Sequence, residues 1–258
     1  MIERGIVAEI SGSTIWRWLS EDAINPWRHR SWIFPRDPAF EAEAARVLDL
    51  YARQWEAKPL GKRDFVTSSD EKTSIQARVR RHGTMAAAPR GDMRVEFEYK
   101  RGGALQYLAA WEVHRAKVFG RCEPSSGIEP FSRLVDQVMT TEPYASARRV
   151  FSVVDNDSSH HGNAACERLS ERRPNAQLVQ LPVHSSRLNQ VEIYFSVIQR
   201  KVLTPNDFSD LAEIESRLAA SERRYEPAAV PFAWRFTRDD LALLVKKLAD
   251  KPQYQLAA

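Results

Sequence analysis

Residues 149–155 read Arg-Val-Phe-Ser-Val-Val-Asp. A nearly continuous apolar run that ends in a carboxylate is the pattern of a strand buried on both faces. Working outward from it, a helix is expected around 162–172 and a strand over 177–183. A long helix then runs from about 188 to 202, Leu-Asn-Gln-Val-Glu-Ile-Tyr-Phe-Ser-Val-Ile-Gln-Arg-Lys-Val. Further helices are expected over 209–224 and 238–249. Upstream, a helix over 39–56 precedes strands at 64–70, 93–100, 104–113 and 117–123, and an amphipathic helix follows at 128–141. Within 93–100, Val95, Phe97 and Tyr99 alternate onto one face. A meander of strands followed by strand–helix alternation is a mixed α/β chain around a central sheet.

The chain has 258 residues, 43% of them hydrophobic. That is enough for one large domain plus a small appendage, and too apolar for global disorder. No apolar run is long enough to span a bilayer, and the N-terminus lacks the apolar core of a signal peptide. The two cysteines, Cys122 and Cys166, form no disulfide framework and fit a reducing cytosol. The net charge of +4 has its excess of basic residues in 70–150. Nucleic acid is a plausible partner on that ground, though many enzymes are as basic. Neither a serine-nucleophile elbow nor a phosphate-binding glycine loop is found.

Near the start, Gly5–Leu19 reads as helix, tight turn at Ser11-Gly12-Ser13, and helix, with Ser13 a suitable cap. Two readings stand: the second half of a helix-turn-helix, or a helical hairpin packed on something else. Residues 25–38 carry three prolines, two tryptophans and three arginines and read as an extended linker. Trp27 and Trp32 are better explained by packing than by stacking on a nucleic acid.

The chemistry is expected where strands end. The first central strand ends at Asp70 and another at Asp155, while the long helix carries Glu192 early in its course. Carboxylates at strand ends of an open α/β sheet converge where ligands bind. Three together repel one another and resist ionisation unless a cation joins them. Hard oxygen ligands select Mg2+ or Mn2+, and a pair of such ions forms a phosphoryl-transfer clamp. Each acid taken singly reads equally as a helix cap or turn former. The argument is the three together.

These stretches resemble the DDE transposases of the mariner superfamily, in their bacterial insertion-sequence branch. The resemblance is carried by Asp70-Glu-Lys-Thr-Ser-Ile-Gln-Ala77, by Val154-Asp-Asn-Asp-Ser-Ser-His160 and by Leu188-Asn-Gln-Val-Glu192. It extends to Arg30–Pro38, and the 37 positions from Asp155 to Glu192 fit the family's close spacing. It implies an RNase H-like fold with Asp70, Asp155 and Glu192 as a catalytic triad holding two Mg2+ ions, for which Mn2+ may substitute. Water would attack a phosphodiester at the transposon end, and the freed 3′-hydroxyl would then attack target DNA, typically at a TA dinucleotide. The implied partners are terminal inverted repeats, target DNA and a second copy of the chain on paired ends. The implied setting is the bacterial cytoplasm, at the nucleoid.

Around the acids, Asn156 and Asn189 are candidates to orient them by hydrogen bonds. Lys72, Gln76, Arg200 and Lys201 are candidates for DNA contact. Arg78, Arg80 and Arg81 form the densest basic cluster and read either as DNA contacts or as solvated surface. His160 reads as a contact to the scissile strand or as a structural hydrogen bond. A zinc pair with His161 is disfavoured, because adjacent side chains point apart.

The resemblance divides the chain into a partial helix-turn-helix remnant (1–24), a linker and connecting helix (25–62) and the catalytic domain (63–258). Relatives carry two helical DNA-binding modules, so an N-terminal truncation is the expectation. Asp157 stands where relatives have a small residue, and Arg187 where they have an aromatic one. The competing classes are a DNA-binding derivative without catalysis and a nuclease of the same fold that is not a transposase.

Overall fold

The computed structural model describes residues 9–21, 37–89, 91–156 and 162–249. It forms two compact units, Met1–Phe34 and Pro35–Ala258. In the first, helix α1 spans Gly12–Glu21. Its cap is Ser11 and not Ser13: the Thr14 N–H donates to Ser11 Oγ at 3.1 Å, because the helix starts two residues earlier than the serine pattern suggests. Trp27, Trp32 and the linker around them lie outside the described residues.

The second unit opens with α2 (Phe40–Tyr51). A small antiparallel pair, β1 (Gln54–Trp55) and β2 (Lys58–Pro59), follows. Then come β3 (Asp64–Val79), β4 (Lys100–Glu112), β5 (Val118–Glu123), α3 (Ile128–Met139), β6 (Arg149–Val154), α4 (Gly162–Arg172) and β7 (Ala176–Gln180). Helices α5 (Val191–Ile198), α6 (Leu211–Tyr225) and α7 (Arg238–Ala249) complete it. The sheet order is β5-β4-β3-β6-β7. β3–β4 and β4–β5 are antiparallel, while β3–β6 and β6–β7 are parallel. This is the mixed, RNase H-like sheet flanked by helices that the sequence led us to expect. No described helix is long and apolar enough to cross a membrane.

The sheet separates two cores. On one face Val66, Ala109, Trp111, Phe151 and Val153 pack with Val47, Leu48, Val191, Tyr194, Ile214 and Leu241. That face is covered by α2, α5, α6 and α7. On the other, Phe65, Leu108, Ala110, Val150 and Val154 pack with Phe131, Leu134, Val138 and Leu169 of α3 and α4. Burying each large side chain stabilises the fold by about 1.5–3 kcal/mol. α2 belongs to this body, with Ala44, Val47 and Leu50 fully buried, and Arg238 of α7 pairs with its Asp49 at 2.7 Å. At Gly120 of β5 the approach is so close that a Cβ would stand 2.7 Å from Tyr107 Cζ.

The cores also show how β3 is built. Val66 faces the α5 side and so, by alternation, do Ser68 and Asp70, whereas farther along it is the odd-numbered Ile75 and Ala77 that do. The switch is a bulge between Lys72 and Ile75, with Ser74 in left-handed backbone (φ 57°). Among the described residues β6 pairs with β3 only from Asp64 to Ser68, while β4 accompanies it to Val79.

Four expectations need correction. The strand expected at 64–70 continues to Val79, because its polar second half is an antiparallel ribbon with β4 rather than a core strand. Residues 93–99 form no strand. They lie in an excursion between β3 and β4 that carries only isolated pairings, Met85 with Arg94 and Ala88 with Gly91. Phe97 is 95% exposed, because alternation without a sheet face to pack on does not make a strand. β7 stops at Gln180, short of Pro182, which has no N–H to donate. The long helix over 188–202 is three pieces: a 3₁₀ turn (Ser186–Leu188), α5, and a π-helical turn (Gln199–Leu203).

Arg80 holds the excursion down. Its side chain is 6% exposed and stands 3.6 Å from Asp207. Its Nε donates to the Glu96 carbonyl at 2.9 Å and a terminal nitrogen donates to that of Asn206. Arg80→Ala leaves those acceptors without a donor and is expected to cost about 2–4 kcal/mol. Lysine should rescue it poorly, lacking the planar fork. Urea unfolding of the two variants checks this, and an alanine variant as stable as the parent would contradict it.

Candidate active site

Asp70 follows Ser68 by two positions and Asp155 follows Val153 by two, and Ser68 and Val153 are direct partners across the parallel β3–β6 pair. Both acids therefore leave the same edge of the sheet on the same face, the face on which α5 packs. α5 supplies Glu192 from its first turn. Asp70 is buried, Asp155 half-buried and Glu192 exposed.

Burial pushes the Asp70 carboxyl up to about 7. The negative charge of Asp155 adds to the effect, with smaller contributions from Glu71 and Glu192, while the Glu71 N–H opposes it. The first acid thus feels both of the others. Among the described residues no three His, Cys, Asp or Glu side chains converge closely enough, as they stand, to grip one ion. In donor chemistry the set nevertheless fits a hard divalent cation, being all carboxylate oxygens. A cation would also relieve the repulsion that adds to burial in raising the Asp70 carboxyl.

The two candidate orienting asparagines differ. Asn189 is buried and its Nδ2 donates to Asp70 Oδ2 at 3.1 Å and to the Ser69 carbonyl at 3.2 Å. Asn156 Nδ2 donates to the Leu181 carbonyl at 2.6 Å, tying the end of β6 to the exit of β7. The 3₁₀ turn before α5 is fixed by Tyr51 of α2, whose hydroxyl donates to the Leu188 carbonyl at 2.7 Å. Arg187 on that turn is exposed, so it leaves no gap in the core.

Of the basic candidates, Lys72 and Gln76 are half-buried on β3. Arg78 stands over the Tyr99 ring, 4.7 Å from its centroid. Arg81 is exposed, as are Arg200 and Lys201 on the π-helical turn. Arg80 is the buried latch described above and presents little charge to solvent. His160, His161 and Asp157 lie outside the described residues. The sequence reading missed Ser68, which touches both Asn189 and α5. Its only signal was a hydroxyl two places before the acid, on the acid's own face.

The profile of the DDE superfamily endonucleases matches residues 66–215, more than half of the chain and all three acids. The chain belongs to that superfamily. No curated protein matches it. Among solved structures, the DDE chain is similar to the mariner Mos1 paired-end complex with Mg (TM-score 0.55, 13% identity, 92% of this chain and 71% of that one). The Mn form of that complex gives a TM-score of 0.52 at 13% identity, covering 92% and 69%. The catalytic domain of Mos1 mariner transposase gives 0.50 at 13%, covering 86% and 94%. At such identities the likeness is one of fold.

Proposed function

We propose that this DDE chain is a transposase of the mariner type, in the insertion-sequence branch its motifs resemble, acting on DNA in the bacterial nucleoid. The observation that carries the proposal is the meeting of Asp70 with the charges of Asp155 and Glu192 at one sheet edge, within the family match. Those three residues would hold two Mg2+ or Mn2+ ions. Bound there, the ions would supply Lewis-acid activation of the attacking oxygen and stabilisation of the leaving one.

The reaction is two displacements at phosphorus. Water attacks a phosphodiester at the element's end and the P–O3′ bond breaks, freeing a 3′-hydroxyl. That hydroxyl then attacks a phosphodiester of target DNA, at TA by the resemblance, and expels a 3′-oxygen there. One ester bond is exchanged for another, so strand transfer needs no external energy source. The chain's own contribution is placement. β3 and β6 fix two carboxylates, α5 brings the third, and Asn189 orients the first. Lys72, Gln76, Arg78, Arg81, Arg200 and Lys201 would steady the phosphate backbone.

The solved relatives include a Mos1 strand transfer complex as well as paired-end complexes. By analogy, a dimer bridging two ends is the proposed working form. The test is cleavage of a labelled duplex carrying the element's terminal repeat, with Mg2+ or Mn2+. A nick at the repeat's boundary is the expected result. A folded chain that binds the duplex and nicks it with neither ion would support the non-catalytic reading instead. Cutting that ignores the end sequence would make the chain a nuclease and not a transposase.

A further inference from the structure

We propose that Ser68 is a positioning residue for the acidic site: its hydroxyl locks the strand carrying the first acid to the helix carrying the third, through Asn189. The inference rests on reading Asp70, Asp155 and Glu192 as the metal-holding set.

Ser68 is fully buried, two residues before Asp70 and on the same face of β3. Its Oγ accepts the N–H of Val191 at 2.9 Å. Val191 is the first residue of α5, where backbone N–H groups have no partner within the helix. The hydroxyl's single hydrogen then goes to Asn189 Oδ1. That contact fixes which way the Asn189 amide faces. Its two N–H groups are left for the Ser69 carbonyl and Asp70 Oδ2. Turned over, the amide would set its oxygen against two other oxygens. The other oxygen of Asp70, Oδ1, accepts the N–H of Glu71 at 2.8 Å. Each carboxylate oxygen is therefore held by one donor and keeps a lone pair for a further ligand. Hydrogen bonds that hold ligands in this way set the affinity of many metal sites.

Ser69 is a matched control. It is as buried as Ser68 but belongs to the opposite face, where its hydroxyl meets that of Ser152 at 3.2 Å. Losing the Ser69 hydroxyl costs the core one buried hydrogen bond and losing the Ser68 hydroxyl two, and only the Ser68 hydroxyl reaches Asn189 and α5.

The experiment measures Mn2+ binding to the full chain without DNA, from the electron paramagnetic resonance of free Mn2+. In parallel, end cleavage is titrated with Mn2+. For Ser68→Ala the Mn2+ affinity is expected to fall about 10–100-fold, and the Mn2+ midpoint for cleavage to rise equally. Ser69→Ala should keep the parent's midpoint despite its loss of stability. If circular dichroism shows Ser68→Ala unfolded, Ser68→Cys takes its place, with the same direction of shift expected from its weaker donor. A Ser68 variant whose midpoint stays within about twofold of the Ser69→Ala value overturns the proposal. Asp155→Asn separates the two levels: if it leaves Mn2+ binding unchanged, the metal-site reading itself fails, and the clip with it.

Discussion

Asp155→Asn will lower divalent-ion-dependent nicking of an element-end duplex by about 10³-fold or more, and the chain will stay folded. The substitution keeps the shape of a side chain that is only half-buried, so little packing is at stake. It removes the negative charge that acts most strongly on Asp70. A phosphoryl-transfer clamp stabilises developing charge by several kcal/mol, and each 1.4 kcal/mol is a factor of ten in rate. Losing one of the three proposed ligands should therefore remove most of the acceleration. Single-turnover cleavage at saturating Mn2+ measures it. A variant within tenfold of the parent would remove Asp155 from the catalytic set.

Asp70→Asn should raise the stability of the metal-free chain at pH 8, although it removes an acid from the site. Asp70 in the folded chain holds its proton up to about 7, against about 3.9 for an aspartate in an unfolded chain. Between those values the folded state binds more protons than the unfolded one. The stability that Asp70 contributes is therefore full below about pH 4 and is lost as pH rises through about 7. Asparagine has no such loss, but its NH2 meets one of the two donors that face the carboxylate, the Glu71 N–H or Asn189 Nδ2, so its net gain over the parent at pH 8 should be about 1–3 kcal/mol. Mg2+ or Mn2+ should restore the parent at pH 8 and leave Asp70→Asn almost unmoved. Urea unfolding at pH 5 and pH 8, in chelator and in each metal, checks both parts. The account fails if the variant is no more stable than the parent at pH 8 in chelator.

What the sequence made legible follows from where each signal originates. β6 and α7 were readable to within a residue, since a buried apolar run and an amphipathic repeat report their own surroundings. The three candidate acids stand out because Asp155 follows the end of β6, Glu192 opens α5 and Asp70 ends the buried half of β3. Met93–Tyr99 misled because it alternates as a strand does, yet it makes only an isolated pairing, Met85 with Arg94, and leaves Phe97 on no sheet face. β3 was read too short because the bulge resets its alternation after Lys72. Ser68 and Arg80 were not legible as anchors. Ser68's partner Asn189 is 121 positions away and Arg80's partner Asn206 is 126, and no local pattern encodes a contact at that range.

The two-sided support of β3 ends at Ser68, two residues before the first acid. In mechanical terms the strand is a beam clamped on both sides along its root and on one side, by β4, beyond it, with the bulge as a soft joint farther out. Asp70 lies between the clamped root and that joint, so a load on the outer ribbon would be taken up at the joint, beyond the acid.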